Sequence, residues 1–159
     1  MAITVIGGTH PFQRKIRATV ALYPEWYVRG ARVSRFEVSA DPAVRDQIAM
    51  YRHGSRDVLV YPGVGDLLTK AIGHELAHGC DDNFDSPHCF SSSATWKDIH
   101  AKQQYFDLPK YRDSALEYFA DMVVKTFLVG ADKMRLTNPD EVRYIELVVF
   151  PILKKEFGA

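Results

Sequence analysis

The sequence carries no excess of charge of either sign: 20 Lys and Arg are balanced by 20 Asp and Glu. A chain so balanced lacks the basic footprint of a nucleic-acid or anionic-membrane partner, and neither is expected. Cysteine is scarce. Cys80 and Cys89 are too few for a disulfide scaffold. They flank the end of a predicted helix, so one bridge across that loop is open to them. Without an export signal, reduced thiols are the expectation. No apolar run approaches the ~20 residues needed to span a bilayer. Ile3 to Ile6 is apolar but no charged region precedes it, so no Sec-type signal peptide is read there. A cytoplasmic protein, or one exported by a non-Sec route, is expected. Repeats, linkers and low-complexity segments are absent too. The 159 residues read as one domain, 1-159, with room for a real core.

What the sequence does have is His74-Glu75-Leu76-Ala77-His78, an H-E-x-x-H motif in a segment that reads as a helix from Asp66 to Gly79. Histidines four apart lie on one helix face, one turn apart, and can close on one tetrahedral metal ion, usually zinc. Glu75 lies beside that face, placed to take a proton from a metal-bound water whose pKa the metal lowers to ~7. The plain alternative is an amphipathic helix with two surface histidines.

Around this helix the chain reads as strands first and helices after. Ala2 to Gly7 reads as a strand, Pro11 to Leu22 as a helix ended by Tyr23-Pro24, and Ala31 to Ser39 as an alternating strand. Asp41-Pro42 opens a turn. Ile48 to Tyr61 reads as a hairpin turning at His53-Gly54-Ser55, and Pro62-Gly63 breaks its return strand. Asp66 is positioned to cap the motif helix. Asp81 to Ser92 reads as a loop, Ala94 to Gln104 as a helix capped by Ser92 or Ser93, and Leu108-Pro109 as a break. Asp113 or Ser114 caps a helix to Val129, with Gly130 past its end, and Asn138-Pro139 starts a last helix towards Phe157 that Pro151 kinks or splits. The layout is that of an α+β domain.

A catalytic zinc site wants three protein ligands and a water. One zincin pattern, with glycine three and histidine six residues after the second motif histidine, is excluded because Asp81 and Phe84 stand there. His88 and His100 are in no recognisable frame. The Ser114 to Val129 helix is more informative. Between Ala115 and Val124 it is apolar or aromatic except at Glu117 and Asp121, so it is buried over most of its surface. The two acids share a face and repel by a few tenths of a kcal/mol, which a cation in front of them would relieve. Glu117 then becomes the third ligand, and Asp121 accepts the free ring N–H of a ligand histidine. The alternative is a solvent stripe, Glu117-Asp121-Lys125, with Asp121 and Lys125 as an i,i+4 pair.

These residues resemble the gluzincin metallopeptidases, whose H-E-x-x-H helix is followed by a later helix carrying Glu-x-x-x-Asp or Glu. The closer likeness is to the catalytic domain of anthrax lethal factor and its relatives, which include the secreted Pro-Pro endopeptidases. It is carried by His74 to Asp82, Ser93 to Lys102, and Tyr111 through Glu117-Tyr118-Phe119-Ala120-Asp121, and covers about residues 60 to 157. The resemblance implies a zincin fold, with a small twisted sheet over the motif helix and a helical C-terminal half. It implies Zn2+ on His74, His78 and Glu117, with Glu75 as base. It further implies a tyrosine ahead of the third ligand as oxyanion donor; Tyr111 is nearest to that place and Tyr105 is the reserve. The expected activity is zinc-dependent hydrolysis of internal peptide bonds by a monomer, with a peptide or protein as partner. A repressor-cleaving regulatory peptidase of phage type and a non-catalytic zincin-like binding domain are the alternatives.

Overall fold

The computed structural model describes residues 3–41, 48–62, 65–83 and 89–158. It is an α+β arrangement: a mixed four-stranded sheet at the N-terminal side and helices over the rest. The strands are β1 (Val5–Ile6), β2 (Arg35–Val38), β3 (Ala49–Arg52) and β4 (Asp57–Val60), in the spatial order β1-β2-β4-β3. β1, β2 and β4 run parallel. β3 pairs antiparallel with β4, Tyr51 opposite Val58, and is an edge strand among the described residues, as is β1 on the other side. The expected hairpin is therefore present. Its left-handed turn residue is Arg56 (φ 54°) rather than Gly54, and the Arg56 side chain donates to Asn83 Oδ1 at 2.9 Å.

Helix α1 (His10–Val20) starts as its sequence suggests, with Thr9 Oγ1 accepting from the Phe12 N–H and Pro11 in the first turn. The segment after it differs from the reading above. Glu25–Ala31 is a helix, α2, so Ala31 closes a helix and the strand begins only at Arg35. Tyr27, Val28, Gly30 and Ala31 are its buried residues, and a seven-residue stretch is too brief to register as a helical period by itself. Pro42, Gly63, Ala2 and residues 84–88 lie outside the described residues, so the turn at Asp41-Pro42, the break at Pro62-Gly63, the start of the Ala2 strand and the middle of the Asp81 to Ser92 loop do too. At the two ends of that expected loop, Asp81 and Asp82 continue the motif helix and Phe90–Ser92 is a 3-10 turn.

The motif helix α3 (Leu68–Asp82) runs through the middle of the molecule, with every residue from Ile72 to Asp81 buried. Asp66 does not cap it; a 3-10 turn, Gly65–Leu67, leads in instead. At the other end Asn83 closes the helix, its amide donating to the carbonyls of Gly79 and Gly30. Two tyrosines hold α3 against the N-terminal helices: Tyr23 donates to the Thr69 carbonyl at 2.6 Å and Tyr27 to the Gly73 carbonyl at 2.8 Å. The rest of the chain comprises α4 (Ala94–Lys102), α5 (Pro109–Asp113), α6 (Ala115–Lys125), α7 (Ala131–Met134), α8 (Pro139–Tyr144) and α9 (Phe150–Phe157). Ser93 and Ser114 cap α4 and α6 as expected. A π-helical turn, Ile145–Val149, joins α8 to α9 just ahead of Pro151, where proline withdraws a helical N–H. Among the described residues no helix is long and apolar enough to cross a membrane.

Two glycines set how closely α3 is approached. A Cβ on Gly73 would lie 2.2 Å from the Tyr23 hydroxyl and 2.4 Å from Val124 Cγ2 of α6. A Cβ on Gly79 would lie 2.5 Å from the Ala31 carbonyl oxygen of α2. The second neighbour is backbone and cannot rotate away. In an open helix Gly→Ala is worth roughly 1 kcal/mol of added stability; here overpacking opposes it by ~1–3 kcal/mol. Gly79→Ala is expected to lower the denaturant midpoint at unchanged m-value, and a raised midpoint would contradict the close approach.

Candidate metal centre

His74 and His78 project from α3 with ring centroids 4.7 Å apart and ring planes at 84°. Both face Glu117 on α6. His74 Nε2 lies 3.2 Å from Glu117 Oε2, and His78 Nε2 lies 3.3 Å from Oε1. Glu117 gets there because Ser114 accepts its backbone N–H at 3.2 Å, fixing the first turn of α6. Ser114-x-x-Glu117 has the form of a capping box, in which the glutamate would fold back on the cap residue. Its carboxylate instead meets the imidazoles, whose hydrogen bonds, with that of Lys110, hold the carboxyl well below the usual range against the opposing effect of burial.

The donor set fits a metal ion. The ligand atoms of His74, His78 and Glu117 all lie within 4.8 Å of one another, the one such group among the described residues. Zinc bonds of ~2.0–2.1 Å at tetrahedral angles put neighbouring donors about 3.3 Å apart, close to the two separations observed. Nitrogen and carboxylate donors suit zinc, which is the ion proposed below. His78 Nδ1 is buried without a hydrogen-bond partner among the described residues.

Glu75 does not join this cluster. Its Oε2 accepts the backbone N–H of Tyr51 in β3 at 2.7 Å, which fixes the carboxylate at the boundary between helix and edge strand. Two turns along α3, Asp82 accepts from the Tyr51 hydroxyl at 2.9 Å and lies 3.0 Å from His53 Nδ1. The cluster opens into a cleft of about 850 Å³ between β3, α3 and α5, lined also by Met50, Lys70, Leu108, Lys110, Tyr111 and Leu116.

The remaining sequence candidates fall in different places. Tyr111 is on the cleft wall with its ring 6.5 Å from that of His74. Burial pushes its phenol far above the ordinary value, and the charge of Asp121 adds to this. Tyr105 is exposed and borders a separate, smaller cavity. His100 is not near the cluster; its Nε2 lies 2.7 Å from the Tyr111 carbonyl. His88 is outside the described residues. Cys80 and Cys89 are free, and Cys80 Sγ packs on the Tyr27 carbonyl at 3.4 Å.

Asp121 corrects the expectation made for it. Its carboxylate does not meet a ligand imidazole. It is fully buried between two ammonium groups, Lys70 Nζ at 2.8 Å and Lys125 Nζ at 2.7 Å. The Asp121–Lys125 pair given above as the alternative is thus present, but enclosed rather than in solvent. Lys70, one turn before His74 and on its face, was the sequence signal for this partner. Nothing in the sequence marked Lys110, whose Nζ is 2.8 Å from Glu117 Oε2, or the Tyr51 N–H on Glu75.

No family model, curated protein or solved structure matches this chain. Its functional reading rests on the residues above.

Burial alone would raise the Asp121 carboxyl, but hydrogen bonds from Lys125 and Lys70 outweigh it and hold the group below its ordinary value. A depressed carboxyl stabilises the fold above its unfolded pKa of ~3.9, and that stabilisation is lost as pH falls through the folded value. Asp121→Asn, which leaves two ammonium groups facing an amide, is expected to cost about 3 kcal/mol at neutral pH. In urea melts the gap from wild type should close as pH falls below ~4; a gap independent of pH would show that the ion pairs are not its source.

Proposed function

We propose that this chain is a zinc-dependent endopeptidase. The observation that carries the reading is the convergence of two imidazoles and one carboxylate at metal-binding separation, on the wall of an open cleft, with a glutamate adjoining them. A structural zinc usually takes four protein ligands, whereas a catalytic one keeps a position open. Three donors beside a cleft favour the second.

When bound, zinc would supply an acidified water and polarise the scissile carbonyl. His74, His78 and Glu117 hold it. Glu75 takes the proton of the attacking water and passes it to the leaving amine. The Tyr51 N–H keeps the Glu75 carboxylate oriented through both transfers. Tyr111 donates a hydrogen bond to the developing oxyanion. Burial and the neighbouring carboxylates raise its phenol above the ordinary value, which favours the protonated form that can donate.

The substrate lies extended along β3. Alternation along an antiparallel edge strand turns the peptide groups of Ala49 and Tyr51 away from β4. The Tyr51 N–H is taken by Glu75, which leaves the Ala49 N–H and the Ala49 and Tyr51 carbonyls. A peptide backbone can pair there, and such pairing recognises an internal stretch of chain. That favours an endopeptidase over a hydrolase of small amides.

Glu75→Gln tests the mechanism, because its amide oxygen can still accept the Tyr51 N–H. The variant is expected to retain zinc while its cleavage of a mixed peptide library falls by roughly 10²–10⁴. Undiminished cleavage would remove Glu75 from the mechanism.

A further inference from the structure

Two lysines and two glutamates line the cleft, Lys70, Lys110, Glu75 and Glu117, so the charges of these four cancel. The two lysines are not equivalent. Lys70 is answered from beneath by Asp121, a fully buried carboxylate that no bound peptide can displace. Lys110 has one ionic partner recorded among the described residues, Glu117, at 2.8 Å through Oε2. Its ammonium lies 5.2 Å from the centre of the Tyr111 ring and its side chain is 52% exposed. It therefore stands on the cleft wall beside the residue proposed to face the scissile carbonyl.

A divalent ion on His74, His78 and Glu117 offsets the same carboxylate charge that Lys110 answers here. The lining then carries a net positive charge, and Lys110 is the cation left without its own buried counter-ion. Leu108 and Leu116 line the same cleft, and charge pairing in a partly apolar recess is screened less than on an open surface. An acidic side chain on an extended peptide is the complement of that wall.

We propose that Lys110 is a specificity-determining residue that selects substrates with a Glu or Asp side chain close to the scissile bond. The assignment rests on the metallopeptidase reading for the word substrate, but the selectivity can be measured as binding alone.

The test uses the full chain loaded with zinc and carrying Glu75→Gln, so that bound peptides persist. Fluorescent extended peptides share one apolar frame and carry Glu, Gln or Lys at each position in turn, and anisotropy gives their affinities at low salt. At one or two adjacent positions Glu is expected to bind about tenfold more tightly than Gln. The preference should vanish in Lys110→Met and reverse towards Lys in Lys110→Glu, while Lys102→Met on the outer face of α4 changes nothing. Equal affinities for Glu and Gln peptides, a preference that survives Lys110→Met, or no peptide binding at all would overturn the proposal. The tightest peptide is then offered to the zinc-loaded protein with Glu75 restored. Absence of cleavage there, with the charge preference intact, would sink the peptidase reading and leave the Lys110 selectivity standing.

Discussion

One carboxylate facing two imidazoles across a helix–helix contact is the constraint on which the rest of this molecule depends. The three groups come from α3 and α6 and meet only if these helices pack with little between them. Gly73, immediately before His74, permits that approach, since any Cβ there would enter space held by Val124 and Tyr23. On the opposite side α2 presses on α3 at Gly79, and the Tyr23 and Tyr27 hydroxyls bond its carbonyls. With α3 clamped from both sides, the directions of His74 and His78 are set by the core and not by the cleft. Such support is what keeps a metal-ligand constellation in place.

The electrostatics are arranged in two tiers. In the cleft, Glu117 is shared by both histidines and Lys110; behind it, Asp121 is enclosed by Lys70 and Lys125. The rear tier neutralises a carboxylate that would otherwise repel Glu117 one turn away on the same helix face. It also sets the surroundings of Tyr111, whose phenol is kept protonated by burial and by these carboxylates. The edge strand joins the same unit through Tyr51, whose N–H and hydroxyl bond Glu75 and Asp82 two helical turns apart. The strand proposed to hold substrate and the glutamate proposed to move its proton are thus mechanically linked.

Much of this was legible in the sequence because it is written locally. His74 and His78 share a face by spacing, Glu117 and Asp121 stand out as the polar positions of an apolar helix, and Ser93 and Ser114 announce helix starts. The Ile48 to Tyr61 hairpin follows from alternation. What was not legible is tertiary. Helix α2 has too few buried positions to show a period, and the 3-10 entry through Gly65–Leu67 supplants the cap expected of Asp66. Spacing fixes the face of Asp121 but not what packs against it, and its partners there are lysines and not an imidazole. Lys110 sits on a five-residue helix, and nothing in its local sequence says that the helix leans on Glu117.

Zinc stoichiometry of the purified protein beside Glu117→Ala bears most directly on the three-donor centre. Elemental analysis after zinc loading and desalting should find about one zinc per chain in the wild type and far weaker retention in the variant, since two histidines alone leave the ion half-coordinated. Equal retention in both would place the third ligand elsewhere. No zinc in either would reduce His74, His78 and Glu117 to a buried ion-pair cluster, and the proposed catalysis would fall with it.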